Sequence, residues 1–159
     1  MVTVQTVATV HIKTVKLIIN LIILILYRWG YGGEFLGVGG TWNSTENKSA
    51  DTEIMASGIF VGFFIYTSIT LVSFCFGTME HKKTGVEIIM NFIGFFMFIV
   101  IGGIALHFWI GYLPEHKLYT FITEREAGIA MGLLCVVEGV MYIVDFVLSL
   151  LHFSKEYMY

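Results

Sequence analysis

The 159-residue sequence has few charged side chains, and this shortage limits what kind of protein it encodes. Only 13% of its residues are charged whereas 57% are hydrophobic, a composition outside that of ordinary soluble domains. The net charge of -3 is mild and no basic run occurs, so we expect no nucleic acid as a partner. The sequence therefore predicts one small integral membrane unit, in contact with lipid.

Cysteine is also scarce. The two cysteines, Cys75 and Cys135, lie in or at the edge of apolar segments, where neither can form a disulfide with an outer loop. This separates the chain from small four-pass families whose outer loops are held by cystines. The histidines are scattered, and no cysteine or histidine cluster has the spacing of metal ligands. We expect no enzyme activity, no metal and no cofactor.

Four apolar stretches predict four membrane-spanning helices, at residues 7–29, 54–76, 88–113 and 127–153. The first can cross about 30 Å of hydrocarbon only if it includes Lys13 and Lys16, whose long side chains can reach the inner headgroups. The predicted fold is all-α, an antiparallel four-helix transmembrane bundle that forms one domain over residues 1–159. Its outer loops would be residues 30–53 and 114–126, and its inner loop residues 77–87.

The first outer loop indicates the orientation of the bundle. Asn43 and Asn47 each begin an N-glycosylation acceptor sequence, which is useful only outside the cytoplasm. The inner side receives Lys13, Lys16, Lys82, Lys83 and Lys155, and the outer side Arg28, Lys48, Lys117 and Arg125. This small excess has the direction that the positive-inside rule requires. We therefore expect both termini to be cytoplasmic.

The same loop is rich in glycine and carries apolar side chains. Gly37, Gly39 and Gly40 leave the backbone free to adopt positive φ, and Trp42 needs an apolar surface to pack against. One interpretation is a surface on which a partner docks. The other is a tight turn whose aromatic side chains lie among the lipid headgroups.

Two pairs of glycines predict close helix contacts. Gly58 with Gly62, and Gly128 with Gly132, each match the GxxxG pattern, which allows two helix backbones to approach. The contacts could lie within the bundle or between copies of the chain, so a homo-oligomer is one prediction.

Glu138 and Asp145 are acids deep within the fourth apolar stretch, seven residues apart and so on one helix face. Distances along the helices put Asp145 level with Lys13 and Lys16, which predicts an ion pair with one of them. Glu138 is expected to be hydrogen-bonded or protonated inside the bundle. The alternative is a cation or proton path through Glu138, which would need more polar lining than four such helices supply.

The whole chain resembles the Snakeskin family, small four-pass membrane proteins of insect smooth septate junctions. Five strings carry the resemblance, namely VQTVATV, LYRWGYGGEFLGVGGTW, ASGIFVGFFIYT, IIMNFIG and GIAMGLLCVVEG. The resemblance implies a structural role in assembling occluding junctions of midgut and Malpighian-tubule epithelium. It also implies two partners, the single-pass junction protein Mesh and a tetraspanin, and a place in the lateral plasma membrane at cell contacts. It assigns no role to Glu138 or Asp145.

Three other functions fit the pattern of spans. A claudin-like protein would form paracellular strands or pores, a small channel or transporter subunit would use Glu138, and a lipid-organising tetraspan would act in vesicle traffic. Outer loops without cystines disfavour the usual claudin pattern, and sparse polar lining disfavours a channel. The favoured prediction is a junctional scaffold and barrier component.

Overall fold

The computed structural model describes residues 4–29, 50–76, 85–111 and 124–157, and in these ranges the chain forms four α-helices. They are α1 (Val4–Trp29), α2 (Ala50–Cys75), α3 (Gly85–Gly111) and α4 (Glu124–Tyr157). Each contains an apolar segment long enough to cross a membrane: Val7–Tyr27, Asp51–Ser73, Gly85–Gly111 and Arg125–Leu151. The predicted all-α four-pass fold is confirmed.

Contacts at the helix ends show how α1 runs relative to α2 and how α3 runs relative to α4. The Tyr27 hydroxyl at the end of α1 donates to Glu53 at the start of α2. Arg125 at the start of α4 donates to the carbonyl oxygens of Trp109 and Ile110, at the end of α3, at 3.3 and 3.1 Å. Each of these contacts joins the end of one helix to the start of the next. Consecutive helices therefore run in opposite directions across these two loops.

Helix α1 packs against α2 and α4, and α4 packs extensively against α3, whereas α2 and α3 meet only sparsely. Glycines explain the close approach of α3 and α4. A Cβ added at Gly102 would lie 3.0 Å from the Gly132 carbonyl oxygen, and one added at Gly139 would lie 2.9 Å from the Ile99 side chain. Because these distances are shorter than ordinary van der Waals contact, a side chain at either position would require its neighbours to shift, and the glycines let the two helices lie this close.

Aromatic rings fill the wider space between α2 and α3. The Phe63 ring lies edge-on to Phe98 with 5.6 Å between centroids, and Phe60 contacts the same ring at 6.0 Å. Tyr142 of α4 stacks on Phe98 at 5.5 Å, so three helices share one aromatic layer. Such ring pairs add about 0.5–1.5 kcal/mol each beyond their buried area.

The bundle has large apolar side chains on its outer faces and several charged side chains in its interior. Ile54 and Ile69 of α2 are 71% and 60% exposed, as are many other large aliphatic side chains on the outer faces. By contrast Lys13 and Lys16 are 1% exposed. A lipid solvent explains this arrangement, because apolar surface is stable against hydrocarbon while charge must be matched internally.

Candidate functional site

The feature of the bundle with most chemical content is a group of buried charged and polar side chains from three helices. Helix α1 provides Lys13 and Lys16, α3 provides Glu87 and Asn91, and α4 provides Asp145. All five are at most 5% exposed. We call these five residues the polar cluster.

Spacing along each helix brings the members of the polar cluster to one place. Lys13 and Lys16 are three residues apart on α1, and Glu87 and Asn91 are four apart on α3. Residues three or four apart lie on the same helix face, so each pair points inward together. Side chains at the start of α3 therefore lie beside those in the middle of α1 and in the second half of α4.

Lys16 connects α1 with both α3 and α4. Its Nζ donates to Asp145 Oδ2 at 2.7 Å and to Asn91 Oδ1 at 3.1 Å. The same ammonium lies 3.9 Å from the centroid of the Tyr142 ring, within the range of a cation–π contact. The Lys16 ammonium therefore contacts groups of α3 and α4 at the same time.

Lys13 completes the charge balance. Its Nζ lies 2.6 Å from Glu87 Oε1 and 3.5 Å from Asp145 Oδ2, so Asp145 is shared by both lysines. Two positive and two negative groups give the polar cluster a net charge of zero. Removing one partner from a buried ion pair costs about 3–5 kcal/mol, because the other charge is then left in an apolar environment.

Further polar contacts link α2 to its neighbours. The hydroxyls of Thr67 and Tyr142 are 3.0 Å apart and share one hydrogen bond. Asn20 of α1 lies against the α2 backbone, with its amide oriented so that the nitrogen donates to the Phe60 carbonyl at 3.3 Å and the oxygen accepts from Phe64 N–H at 3.2 Å. These two contacts attach α2 to α1 and α4 at the level where polar side chains give way to aromatic rings.

Glu138 lies two turns before Asp145 on the same face of α4 and is 0% exposed. Neither of its carboxyl oxygens has a hydrogen-bond partner among the described residues. It is thus fully buried without joining the polar cluster.

Two curated proteins align with almost the whole chain. It is 54% identical over 156 residues to "Protein snakeskin" of Bombyx mori, covering 98% of this chain and 99% of that protein. It is 55% identical over 155 residues to "Protein snakeskin" of Drosophila melanogaster, covering 98% of this chain and 96% of that protein. The chain belongs to the snakeskin family. No protein-family model matches this snakeskin family member, and no solved structure does.

In this snakeskin family member the polar cluster contains two residues that the sequence did not indicate, Glu87 and Asn91. The sequence placed Glu87 at the end of the inner loop, but α3 begins at Gly85, so Glu87 lies in its first turn. The number of charges was a usable signal, because two buried lysines with one acid at their level require a second acid. For Asp145 the sequence predicted one lysine partner, and the structure places two beside it.

The two glycine pairs have different surroundings. A Cβ at Gly132 would lie 2.9 Å from Leu106, and one at Gly128 would overlap the Trp109 ring, so both glycines lie at the α3–α4 contact. Gly58 and Gly62 have no described atom within 4 Å of an added Cβ. No described part of the bundle therefore packs closely against this pair, because the face of α2 that carries it points outward. Contact between copies stays a prediction.

The loop predictions fall outside the described residues. Asn43 and Asn47, proposed for glycosylation, lie there, and so do the predicted docking residues Gly37, Gly39, Gly40 and Trp42. In the part of the chain that the structure describes, no group of three or more His, Cys, Asp or Glu side chains could hold a metal ion. The described site is a set of ion pairs that can join helices.

Proposed function

We propose that this protein is a structural membrane component of smooth septate junctions, required for their assembly and for the paracellular barrier of insect gut epithelium. The observation that carries the proposal is the identity of 54–55% over 98% of the chain to two proteins named snakeskin. A role of this family at smooth septate junctions is what the resemblance of the sequence implies. The proposed role is not catalytic.

In this proposal the bundle lies in the lateral plasma membrane with both termini in the cytoplasm. Residues 30–53 then face the intercellular space, where Asn43 and Asn47 are open to glycosylation and Trp42 lies on a docking surface. Mesh and a tetraspanin are the proposed protein partners. The outward face of α2, with Gly58 and Gly62 uncovered by any described atom, is the proposed surface for a further helix, from a partner or from a second copy.

A rigid bundle suits a scaffold, because binding surfaces on separate loops must keep their relative positions. The polar cluster supports this, since Lys13 and Lys16 join α1 to both α3 and α4 in a lipid environment where mismatched charge is costly. The glycine contact of α3 with α4 adds a second fixed spacing.

The competing channel function has a specific observation in its favour, the fully buried Glu138. The side chains between Glu138 and the outer membrane surface argue against an ion path through a single bundle. Phe98, Ile101, Ala105 and Met131 are at most 2% exposed and close the described interior with apolar groups. Ions cross such a constriction only when it is wet and wide enough.

A pair of variants in a polarised insect gut epithelium tests the proposal. Replacing Gly39 and Gly40 with bulky residues together with Trp42→Ala should disperse a tagged copy from lateral contacts and let an uncharged tracer leak between cells. Glu138→Gln should leave localisation and seal unchanged, because it keeps the size of the side chain. If Glu138→Gln localises normally but alters ion permeability, while the loop variant has no effect, the scaffold function is wrong and the channel function is supported.

A further inference from the structure

Glu138 is the third acid in the described interior near the two lysines, and it differs from the other two in its contacts. Glu87 and Asp145 each lie within 2.7 Å of a lysine ammonium. Glu138 is 0% exposed, and neither carboxyl oxygen has a hydrogen-bond partner among the described residues. Among the described residues, an ionised Glu138 would therefore have no hydrogen bond and no ion pair to compensate its charge.

The number of charges restricts the form that Glu138 can take. Lys13 and Lys16 carry +2 and are balanced by Glu87 and Asp145 with −2. An ionised Glu138 would change the sum to −1 in a region from which lipid and apolar side chains exclude water. Burying a net charge is strongly unfavourable, and such a group is normally neutralised instead.

A bound metal ion does not supply the missing charge in the described part of the chain. No group of three or more His, Cys, Asp or Glu side chains there could hold one. A proton, unlike a metal ion, binds to a single carboxyl oxygen and needs no further ligand. We propose that Glu138 is a proton-binding site of the bundle core, and that it keeps its proton because Glu87 and Asp145 already neutralise both lysines.

Glu138 interacts electrostatically with Lys16 of α1 and with Cys135 and Tyr142 of α4. The other titratable groups nearby along the helices belong to the polar cluster, Lys13 of α1, Glu87 of α3 and Asp145 of α4, and Tyr66 of α2 interacts with the last two. Among them Lys16 is the cation that interacts electrostatically with Glu138, and it is also the partner of Asp145 at 2.7 Å. Lys16 thus has two acids on one face of α4 within its electrostatic reach.

This arrangement makes the protonation of Glu138 depend on the charge of Asp145. When Asp145 is ionised it takes the positive charge of Lys16, and Glu138 stays neutral. When Asp145 is replaced by a neutral group, Glu138 should lose its proton to solvent and become the acid that balances Lys16. The proton on Glu138 and the Lys16–Asp145 ion pair are therefore linked, because whichever of the two acids is ionised balances the charge of Lys16.

Infrared difference spectroscopy of the full-length protein in lipid at pH 7 tests the site. The spectrum of the wild type minus that of Glu138→Gln should contain the carbonyl band of a protonated carboxylic acid. In the Asp145→Asn background the same subtraction should lose at least nine-tenths of that band and show carboxylate bands instead. Ser149→Ala, which removes another fully buried polar group from the same helix face, is the matched control and should keep the acid band.

Two results would overturn the proposal. One is the absence of a protonated-acid band from the wild-type difference spectrum, which would mean that Glu138 is ionised. The other is an undiminished band in a folded Asp145→Asn protein, which would mean that Lys16 does not control the proton. If Asp145→Asn does not give a monodisperse helical protein, Glu87→Gln replaces it, because it frees charge on Lys13, which shares Asp145 with Lys16. The same loss of the acid band is then expected.

Discussion

Single residues decide whether charge is stable inside this bundle, and Lys16 shows how. Its ammonium contacts a carboxylate, an amide oxygen and an aromatic ring, at 2.7, 3.1 and 3.9 Å. A buried ammonium needs several such partners, because it has given up its hydration shell. The lysine is tolerated in α1 because α3 and α4 replace that shell.

We expect the Lys16–Asp145 pair to show strong coupling in stability. Asp145→Asn should lower the free energy of unfolding by about 3–5 kcal/mol, since it leaves Lys16 with less compensation. Lys16→Gln should also destabilise, and the double variant should recover about 0.5–3 kcal/mol relative to the sum of the two losses. Equilibrium unfolding in detergent micelles measures the free energy of unfolding of the wild type, the two single variants and the double variant.

The control for this cycle uses an acid at the other end of the bundle. Glu53 contacts Tyr27 where α1 ends and α2 begins, far along α1 from Lys16. Losses from Glu53→Gln and Lys16→Gln should therefore add. If the losses at positions 16 and 145 add just as well, these two side chains do not interact in the folded protein.

Among the described helices, the close pairing of α3 with α4 depends on glycines, which have no side chain. Helices α3 and α4 approach through Gly102, Gly132 and Gly139, whereas the rings of Phe60, Phe63 and Phe98 separate α2 from α3. The bundle is therefore asymmetric, with one narrow and one wide helix pairing.

Neighbouring glycines of α3 give a direct test of the narrow pairing. Gly102→Leu should destabilise the protein by about 1–3 kcal/mol, because its Cβ would already be 3.0 Å from the Gly132 carbonyl oxygen and from Val136. Gly103→Leu adds the same atoms where no described atom lies within 4 Å, and should have little effect. Thermal unfolding followed by circular dichroism in micelles compares them. Equal losses would mean that helix propensity, and not packing, controls this region.

The sequence predicted the helices well because their signal is local. A run of apolar residues of sufficient length needs an α-helix in lipid whatever surrounds it. Asp145 could also be matched with Lys13 and Lys16, since depth along a helix follows from residue number. Pattern alone could not separate Gly128 and Gly132, which lie at a helix contact, from Gly58 and Gly62, which have no described neighbour. Which face of a helix points inward depends on the other helices. Glu87 was missed because its position near a turn made it look exposed.

For the molecule as a whole, the orientation in the membrane is a prediction that follows from the loop between α1 and α2 and from the distribution of lysines and arginines. Tags at both ends should survive protease added to intact cells, because both termini are predicted to be cytoplasmic. After the membrane is made permeable, both tags should be lost. Western blots of the two tags give the result, and loss of either tag from intact cells would contradict the topology. Glycan at Asn43 or Asn47 would support it independently.

The ion pairs between α1 and the later helices have a consequence for the time course of synthesis. Glu87 follows Lys13 by 74 residues, and Asp145 follows Lys16 by 129 residues. At about 5–20 residues per second, the ribosome completes Asp145 roughly 6–26 s after Lys16. Glu87 is made partway through this interval, so at first neither acidic partner exists and later only one does, and the lysines of α1 must meanwhile extend to the inner headgroups. A chain halted before α4 therefore has two lysines in α1 with Glu87 as the one acidic partner already made, and one positive charge of the polar cluster is left unmatched.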